Sequence, residues 1–323
     1  MDINRENMTR FFEELSVTFS AAFMAEADGS PVKQLAMELP STGAALTHGW
    51  LNQLPSMREW LGDRIVQNAE STPLTVANRK FESTLEMPRV DLEDDQEGLY
   101  SPLVAAMGAA AAAHPEALCV EALLKGTATK WADGHNFFVA SARKYGAATI
   151  NNYSTDELSV ASFNAAYTKM TSYVGHGGRP IGVRPMFLLH GPQLRTRAFE
   201  ICRDDFAART ADATSGTAAN QASTQGLNPN KGTVIPIQTP HLIDGMIIDG
   251  ATYNAGKYWY LLGSVAGLRG LVWQNRLGAE LQAQKWNPNS EFTFNTDKFQ
   301  LGVRMRGAPF LAIPHLIVGN FAT

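Results

Sequence analysis

The sequence predicts an α+β fold, and three observations carry that prediction. Apolar residues near the N-terminus repeat at helical spacing, an alanine-rich stretch around residue 110 reads as a long helix, and short β-prone runs follow one another from Thr233 onward without intervening helices. The chain has 323 residues, 45% of them hydrophobic, with 31 acidic against 27 basic side chains and a formal charge of -4. That composition belongs to a soluble globular protein, and the length suits one large domain or two ordinary ones.

Taken in order, Met8, Phe12, Leu15, Phe19 and Phe23 step by 4, 3, 4 and 4 residues, one face of an amphipathic arm helix. Pro31 and the stretch from Pro40 to Gly49 interrupt regular structure, and Trp50, Leu54, Met57 and Trp60 cluster after it. Gly62 to Met87 is polar and β-prone with Pro73 near its middle. It predicts a long hairpin with few core residues that projects from the body. Pro88 and the acids from Asp91 to Asp95 predict the start of a long helix, because carboxylates in a first turn favour the positive end of the helix dipole by about 0.3–1 kcal/mol each. That helix runs through Leu103 to Ala113; Pro115 is expected to break or restart it, with a second segment from Glu116 to Lys125.

Beyond it the pattern predicts helix over Glu157–Tyr173, a loop over Gly175–Gly182, a strand over Met186–Leu189, and a helix over Pro192–Cys202 with proline in its first turn. Thr210 to Gly232 is a 23-residue run of small and polar residues whose one larger apolar side chain is Leu227, a long connection of the functional or disordered kind. Strands are predicted at Val234–Ile237, Trp259–Leu262, Leu271–Gln274, Phe292–Phe294 and Leu301–Met305.

Composition narrows the function. Cys119 and Cys202 belong to no CxxC or Cys/His cluster, which points away from a disulfide framework or a zinc site. Met1 to Arg10 has no secretion signal, and the most apolar run, Leu103 to Ala113, is 11 residues of mostly alanine, short for a membrane span. A near-neutral total excludes a dedicated basic nucleic-acid binder. The charge is unevenly spread, however. Glu82, Glu86, Asp91, Glu93, Asp94, Asp95 and Glu97 share their segment with Arg89 alone, a local net of -6, while the rest of the chain carries 26 basic and 24 acidic residues.

Candidate chemistry is sparse. Gly175, Gly177, Gly178 and Gly182 with Arg179 could cradle a phosphate, but the motif requires a strand before and a helix after, and the reverse stands here, so a plain connection is preferred. No HExxH, GxSxG or Walker sequence occurs, and the seven histidines are scattered. His190 ends an apolar strand before Gly191 and Pro192, where a hydrogen-bonding role is favoured over a catalytic one. The acidic island offers hard oxygen ligands for a divalent cation, yet it lacks the spacing and glycine of an EF-hand loop. Acids left for a neighbour's arginines are the better reading, since 17 of the 27 basic residues are Arg, suited to bidentate pairing. Arg58, Arg64, Arg79 and Arg89 lie on or beside the hairpin.

The motifs GWLNQLPSMREWLGDR (Gly49 to Arg64), KFESTLEMPRVDLEDDQEGLYSPL (Lys80 to Leu103), HPEAL (His114 to Leu118), DGHNFF (Asp133 to Phe138), NPNKGTVIPIQTPHL (Asn228 to Leu242), WYLL (Trp259 to Leu262) and FNTDKFQLGVRMRG (Phe294 to Gly307) stand in an order that resembles tailed-phage major capsid proteins of the Hong Kong 97 type. More specifically the chain resembles the major head subunit of Mu-like phages and prophages. One departure follows Phe138, where the family pattern continues with an Asp-x-x-His-Pro type sequence and this chain reads Val139, Ala140, Ser141, Ala142, Arg143.

The resemblance implies an N-terminal arm over residues 1–57, an extended loop over 58–90 that lies on a neighbouring subunit, and a peripheral domain with its spine helix over 91–144. An axial domain over 145–275 and strands returning to the peripheral domain over 276–323 complete it. It implies a structural subunit without catalytic, metal or cofactor sites, assembling as hexamers and pentamers into an icosahedral shell around double-stranded DNA that it contacts non-specifically. About 55 residues precede the hairpin, so a scaffolding protein is expected to be separate; a portal and a maturation protease are further expected partners, and no membrane is. The expected location is the virion, after assembly in the bacterial host cytoplasm. Arg58, Trp60, Arg64, Arg79, Arg89, Asp91, Glu93, Asp94 and Asp95 are the candidate subunit contacts. The alternatives are an encapsulin-like compartment shell and, remotely, a soluble α/β enzyme using His190 or the glycine loop.

Overall fold

The computed structural model describes residues 5–51, 71–94, 97–140, 143–145, 148–175, 180–208, 225–283 and 291–322. The chain forms two compact units. The first is drawn from Met1–Thr47, Thr75–Cys119 and Val272–Phe310. Its arm helix spans Arg5–Gly29, longer than the predicted stripe at both ends. Met8, Phe12, Leu15 and Phe19 are buried as their spacing requires, Phe11 joins them, and Phe23 packs at the margin. They meet Met87, Leu92, Tyr100, Val104, Met107, Phe299, Leu301 and Val303 in one core, where each fully buried large side chain contributes about 1.5–3 kcal/mol.

The sheet of this unit has four strands in the order Met37–Pro40, Leu271–Ala283, Lys298–Leu311, Arg79–Pro88. The first pair is parallel, with Met37 opposite Val272. The last is antiparallel and unbroken from Lys298 opposite Pro88 to Gly307 opposite Arg79. Alternation decides which side faces the core: Phe81, Leu85 and Met87 turn inward while Lys80, Glu82, Thr84 and Glu86 are exposed.

Three expectations are corrected here. Residues 79–88 are an edge strand of this sheet and Pro73 lies within strand Ser71–Ala77, which pairs with Ala45–Leu51; the predicted hairpin over Gly62–Met87 therefore has different arms. The inward residues Phe81, Leu85 and Met87 supply the apolar face that draws this segment into the sheet.

The second correction concerns the spine helix, which spans Tyr100–Lys125 and has no acid in its first turn. Asp91 and Glu93 instead lie in a separate short helix, Arg89–Glu93, and Asp94 caps its end. Pro115 sits inside the helix without ending it. Its missing amide costs about 3 kcal/mol, but Leu118, Cys119, Val120, Leu123 and Leu124 beyond it are all buried, and their burial outweighs that loss. At 26 residues the helix is long and apolar enough to cross a membrane, which the shorter run considered from sequence was not; Val104, Met107 and these five residues are buried within the protein. Third, Phe292–Phe294 is not a strand but part of helix Glu291–Thr296 with Phe294 exposed, three alternating residues being too few to specify a period.

The second unit comprises His48–Leu74, Val120–Leu271 and Leu311–Thr323. Its sheet runs Ile235–Gln238, Arg184–His190, Trp259–Val265, Ile317–Asn320, Tyr153–Ser154. Helices Val160–Thr171 and Arg195–Cys202 pack Phe163, Ala166, Met170, Ala198, Ile201 and Cys202 into one core with Leu188, Trp259, Leu261 and Val318. The first helix is capped by Ser159 and Ser162, which bond each other's backbone amides at 3.1 and 2.9 Å. The second is closed by Asn228, whose amide donates to the carbonyls of Ile201 and Asp204 at 3.0 Å. Two-stranded ribbon Phe206–Ala208 with Gln225–Leu227 flanks residues 209–224, the bulk of the long polar run, which lie outside the described residues.

A buried polar clasp occupies the region where the motif pattern departs. Arg143 is 5% exposed at its side chain, pairs with Asp133 at 2.5 Å and donates to the Asn136 carbonyl at 2.8 Å. Its guanidinium lies 5.1 Å over the Trp131 ring, and Trp131 Nε1 donates to the Ala312 carbonyl at 3.0 Å. His315, buried nearby, has its pKa pushed down to about 4 by burial and then by the charge of Arg143.

Candidate assembly surfaces

His190 and the two cysteines are buried. His190 is fully buried at the end of its strand, its Nδ1 is 2.8 Å from the Gly191 carbonyl, and burial lowers its pKa, so it stands as a neutral ring tying the strand to the following turn. Cys119 and Cys202 are buried and their thiols are pushed up to about 12, chiefly by desolvation, which leaves them without thiolate character. Among the described residues no cluster of three His, Cys, Asp or Glu is placed to hold a metal ion. Arg179, Gly177 and Gly178 lie outside the described residues.

The acidic segment is partly neutralised within its own chain. Arg89 pairs with Glu93 at 2.8 Å, and Lys298 pairs with Glu86 at 2.8 Å, which lowers the Glu86 pKa. The Tyr100 hydroxyl donates to Asp91 at 2.7 Å; burial first, and then that carboxylate, push Tyr100 up to about 12. Asp94 is exposed at the end of the short helix. Arg79 stacks 5.2 Å over the Phe81 ring. Arg58, Trp60, Arg64 and Asp95 lie outside the described residues. Sequence reasoning had sorted these residues by charge; it missed that Val90, Leu99 and Leu103 stand exposed among them, so the acidic turn is also apolar. Helical spacing carried no such signal, because it marks burial within a helix and not exposure at its start.

A groove of about 400 Å³ lies between the Lys80–Ser83 end of strand Arg79–Pro88 and the spine helix, lined by Phe81, Ser83, Met107, Ala110, His114 and Met305. The His114 ring meets Phe81 edge-on with centroids 4.5 Å apart. In the second unit Phe206 and Leu227 are exposed cross-strand partners on the two-stranded ribbon, and Ile235 and Ile247 are exposed as well. Apolar residues exposed in clusters on polar-rimmed surfaces mark contact sites more than they mark pockets for small molecules.

Residues 8–143, 141–224 and 245–321 match the family described as Mu-like prophage major head subunit gpT, with a break at the Phe138–Arg143 departure. The chain is 38% identical over 109 residues to the major capsid protein of Escherichia phage Mu, covering 34% of this chain and 36% of that one. It is 33% identical over 144 residues to the Mu-like prophage FluMu major head subunit of Haemophilus influenzae, covering 43% and 47%. These matches thus span less than half the length of either relative. Among solved structures, the procapsid of bacteriophage JBD30 aligns with 96% of this chain and 74% of its own at 23% identity and a TM-score of 0.51, the fold of a tailed-phage capsid subunit.

Proposed function

The chain belongs to the Mu-like prophage major head subunit family, and from that premise we propose that it is the structural subunit of a phage head. Copies associate as hexamers and pentamers into an icosahedral shell that encloses double-stranded DNA, without catalysing a reaction. The observation that carries this reading is the family match across nearly the whole chain. The closed state of His190, Cys119 and Cys202 and the exposed apolar residues on both units support it. A shell wall meets DNA over a broad inner face by backbone electrostatics and needs no basic tract, which accommodates a net charge of -4.

Within the shell the arm, the loop over a neighbour, the peripheral domain and the axial domain follow one another in the order the sequence implies, with two boundaries moved: strand Arg79–Pro88 belongs to the sheet of the first unit and Leu311–Thr323 to the second unit. Arg58, Trp60, Arg64, Arg79, Arg89, Asp91, Glu93, Asp94 and Asp95 contribute to subunit contacts, with Asp94 exposed for a partner's arginine and Val90, Leu99 and Leu103 adding apolar area around it. Scaffolding protein, portal and maturation protease act as separate partners, and assembly takes place in the host cytoplasm before the subunit enters the virion. Electron microscopy of the purified protein, alone and co-expressed with the other head proteins, should show capsomers or shells. A monomer under every assembly condition would reject the reading, and particles filled with a stoichiometric enzyme in place of DNA would replace it with a cargo compartment.

A further inference from the structure

Among the described residues the two larger sheets end in four edge strands, with a two-residue side strand, Leu268–Arg269, pairing off the second, and three of the four are blunted. Met37–Pro40 is four residues long and ends in proline, Ile235–Gln238 is equally short and carries Pro236, and Tyr153–Ser154 has two residues. Short or proline-bearing edges resist pairing with another chain. The fourth, Arg79–Pro88, presents ten residues with no proline before its last position, and among the described residues nothing pairs with its outer side. Beside it lies the groove between Phe81, Ser83 and the spine-helix residues Met107, Ala110 and His114. On the adjoining helix surface Leu103, Ala106 and Ala110 are exposed at steps of 3 and 4, with Leu103 50% exposed.

We infer that this edge is a two-fold contact, in which strand Arg79–Pro88 of one copy pairs antiparallel with the same strand of a second copy about an axis at Ser83. The side chains select that occupant. With Ser83 opposite Ser83, Phe81 falls opposite Leu85 on the inward face, while on the exposed face Lys80 falls opposite Glu86 and Glu82 opposite Thr84, each pair formed twice. A parallel pairing in register would set Lys80 beside Lys80 and Glu86 beside Glu86, so the order of charges disfavours it. Glu86 already receives Lys298 and Gln300 at 2.8 and 3.0 Å, and a carboxylate has acceptor sites left for a further donor. The symmetry also places the two copies' spine helices on the same side of the extended sheet, where small residues at Ala106 and Ala110 permit close approach. The inference rests on the shell reading and names one of its contacts.

Cysteine cross-linking reads the register. Directly opposed residues in an antiparallel pair have Cα atoms about 4.5–5.5 Å apart, within the disulfide range. Ser83→Cys should therefore give a disulfide-linked dimer on mild oxidation of assembled particles. Thr84→Cys alone, with its two copies about 8 Å apart by strand spacing and rise, should not. A mixture of Glu82→Cys chains with Thr84→Cys chains should link where neither variant does alone, which keeps the register testable if Ser83→Cys misfolds. Cys119 and Cys202 are buried and do not compete. Intact shells without these links overturn the inference and leave the shell reading standing. Linked dimers in solution from a protein that never forms shells sustain the inference and overturn the shell reading. Neither shells nor links overturn both, and a link to a different polypeptide overturns the inference.

Discussion

Substituting Gly108 by alanine tests the docking of the arm helix, because the sign of the effect depends on one close approach. In an open position of a helix interior the change would stabilise by about 0.5–1 kcal/mol, since glycine loses more backbone freedom on folding. Gly108 is not open: a Cβ there would lie 2.6 Å from the Phe19 carbonyl oxygen, 3.3 Å from the Phe23 amide nitrogen and 3.4 Å from the Ala22 Cβ. Neither backbone group can turn aside, so the arm must move away by more than half an ångström, roughly 0.5–1 Å. A gap of that size forfeits about a quarter to a half of the dispersion well at each affected contact. Phe19, Leu15 and Phe12 depend on that contact, so the loss exceeds the gain in propensity, and we expect a net destabilisation of about 1–3 kcal/mol. Thermal melting should show a midpoint lowered by several degrees, at about 2–4 °C per kcal/mol, and limited proteolysis should cut the arm sooner. A Gly108→Ala protein that melts higher than the parent would refute a backbone-to-backbone crossing at this residue.

Three further outcomes are expected. Arg143→Ala should cost about 3 kcal/mol in urea unfolding, the lower end for a broken buried pair because Asp133 keeps a quarter of its surface in water, with Arg143→Lys recovering only part; parental stability in either variant would show that the clasp contributes nothing. His315 is held neutral in the fold with a pKa of about 4, below its unfolded value near 6.5, so stability is complete above pH 6.5 and declines as pH falls toward 4, by about 3 kcal/mol in total. Unfolding curves of the parent minus those of His315→Gln isolate this share, and a flat difference between pH 7 and 4.5 would exclude it. Charge reversal at both Asp94 and Asp95 should change the melting of the isolated subunit by no more than about 0.5 kcal/mol while lowering the yield of shells, since Asp94 is exposed; normal shells from the double variant would remove these acids from the contact surface.

The arm helix and the second unit's core were legible because period alone specifies them. Met8, Phe12, Leu15 and Phe19 mark a face whatever lies opposite, and Trp259 to Leu262 is apolar enough to be a central strand in any register. The acids before the spine helix misled, because the dipole argument is local and is satisfied equally by a separate short helix at Arg89–Glu93. Pro115 misled for the opposite reason: the backbone rule is local, but the burial of Leu118 to Leu124 that overrides it is tertiary. Strand Arg79–Pro88 was assigned to a projecting hairpin because its exposed face, Lys80, Glu82, Thr84 and Glu86, is as polar as a hairpin's. Its partner Lys298–Gly307 lies more than two hundred residues away, a distance at which composition gives no sign of pairing. Arg143 stood only as the last residue of the departure after Phe138 and received no role, since a single arginine after Ser141 and Ala142 carries no spacing that would announce a buried clasp.

The handling of sheet edges connects these points to assembly. A protein that must associate with many copies of itself has to distinguish the wanted contact from indiscriminate strand pairing, which any open edge invites. Among the described residues proline or brevity closes three of the four edges at which the two larger sheets end, and the fourth is guarded by charges whose order matters more than their sum. The acidic island begins on this strand, with Glu82 and Glu86, while Arg79 and Lys80 stand at its other end. A uniformly acidic edge would repel a second copy in both directions, and a uniformly neutral one would accept it in both. Segregated signs repel the parallel partner and admit the antiparallel one, so the uneven charge that looked like a surface property of one subunit acts as a rule for joining two.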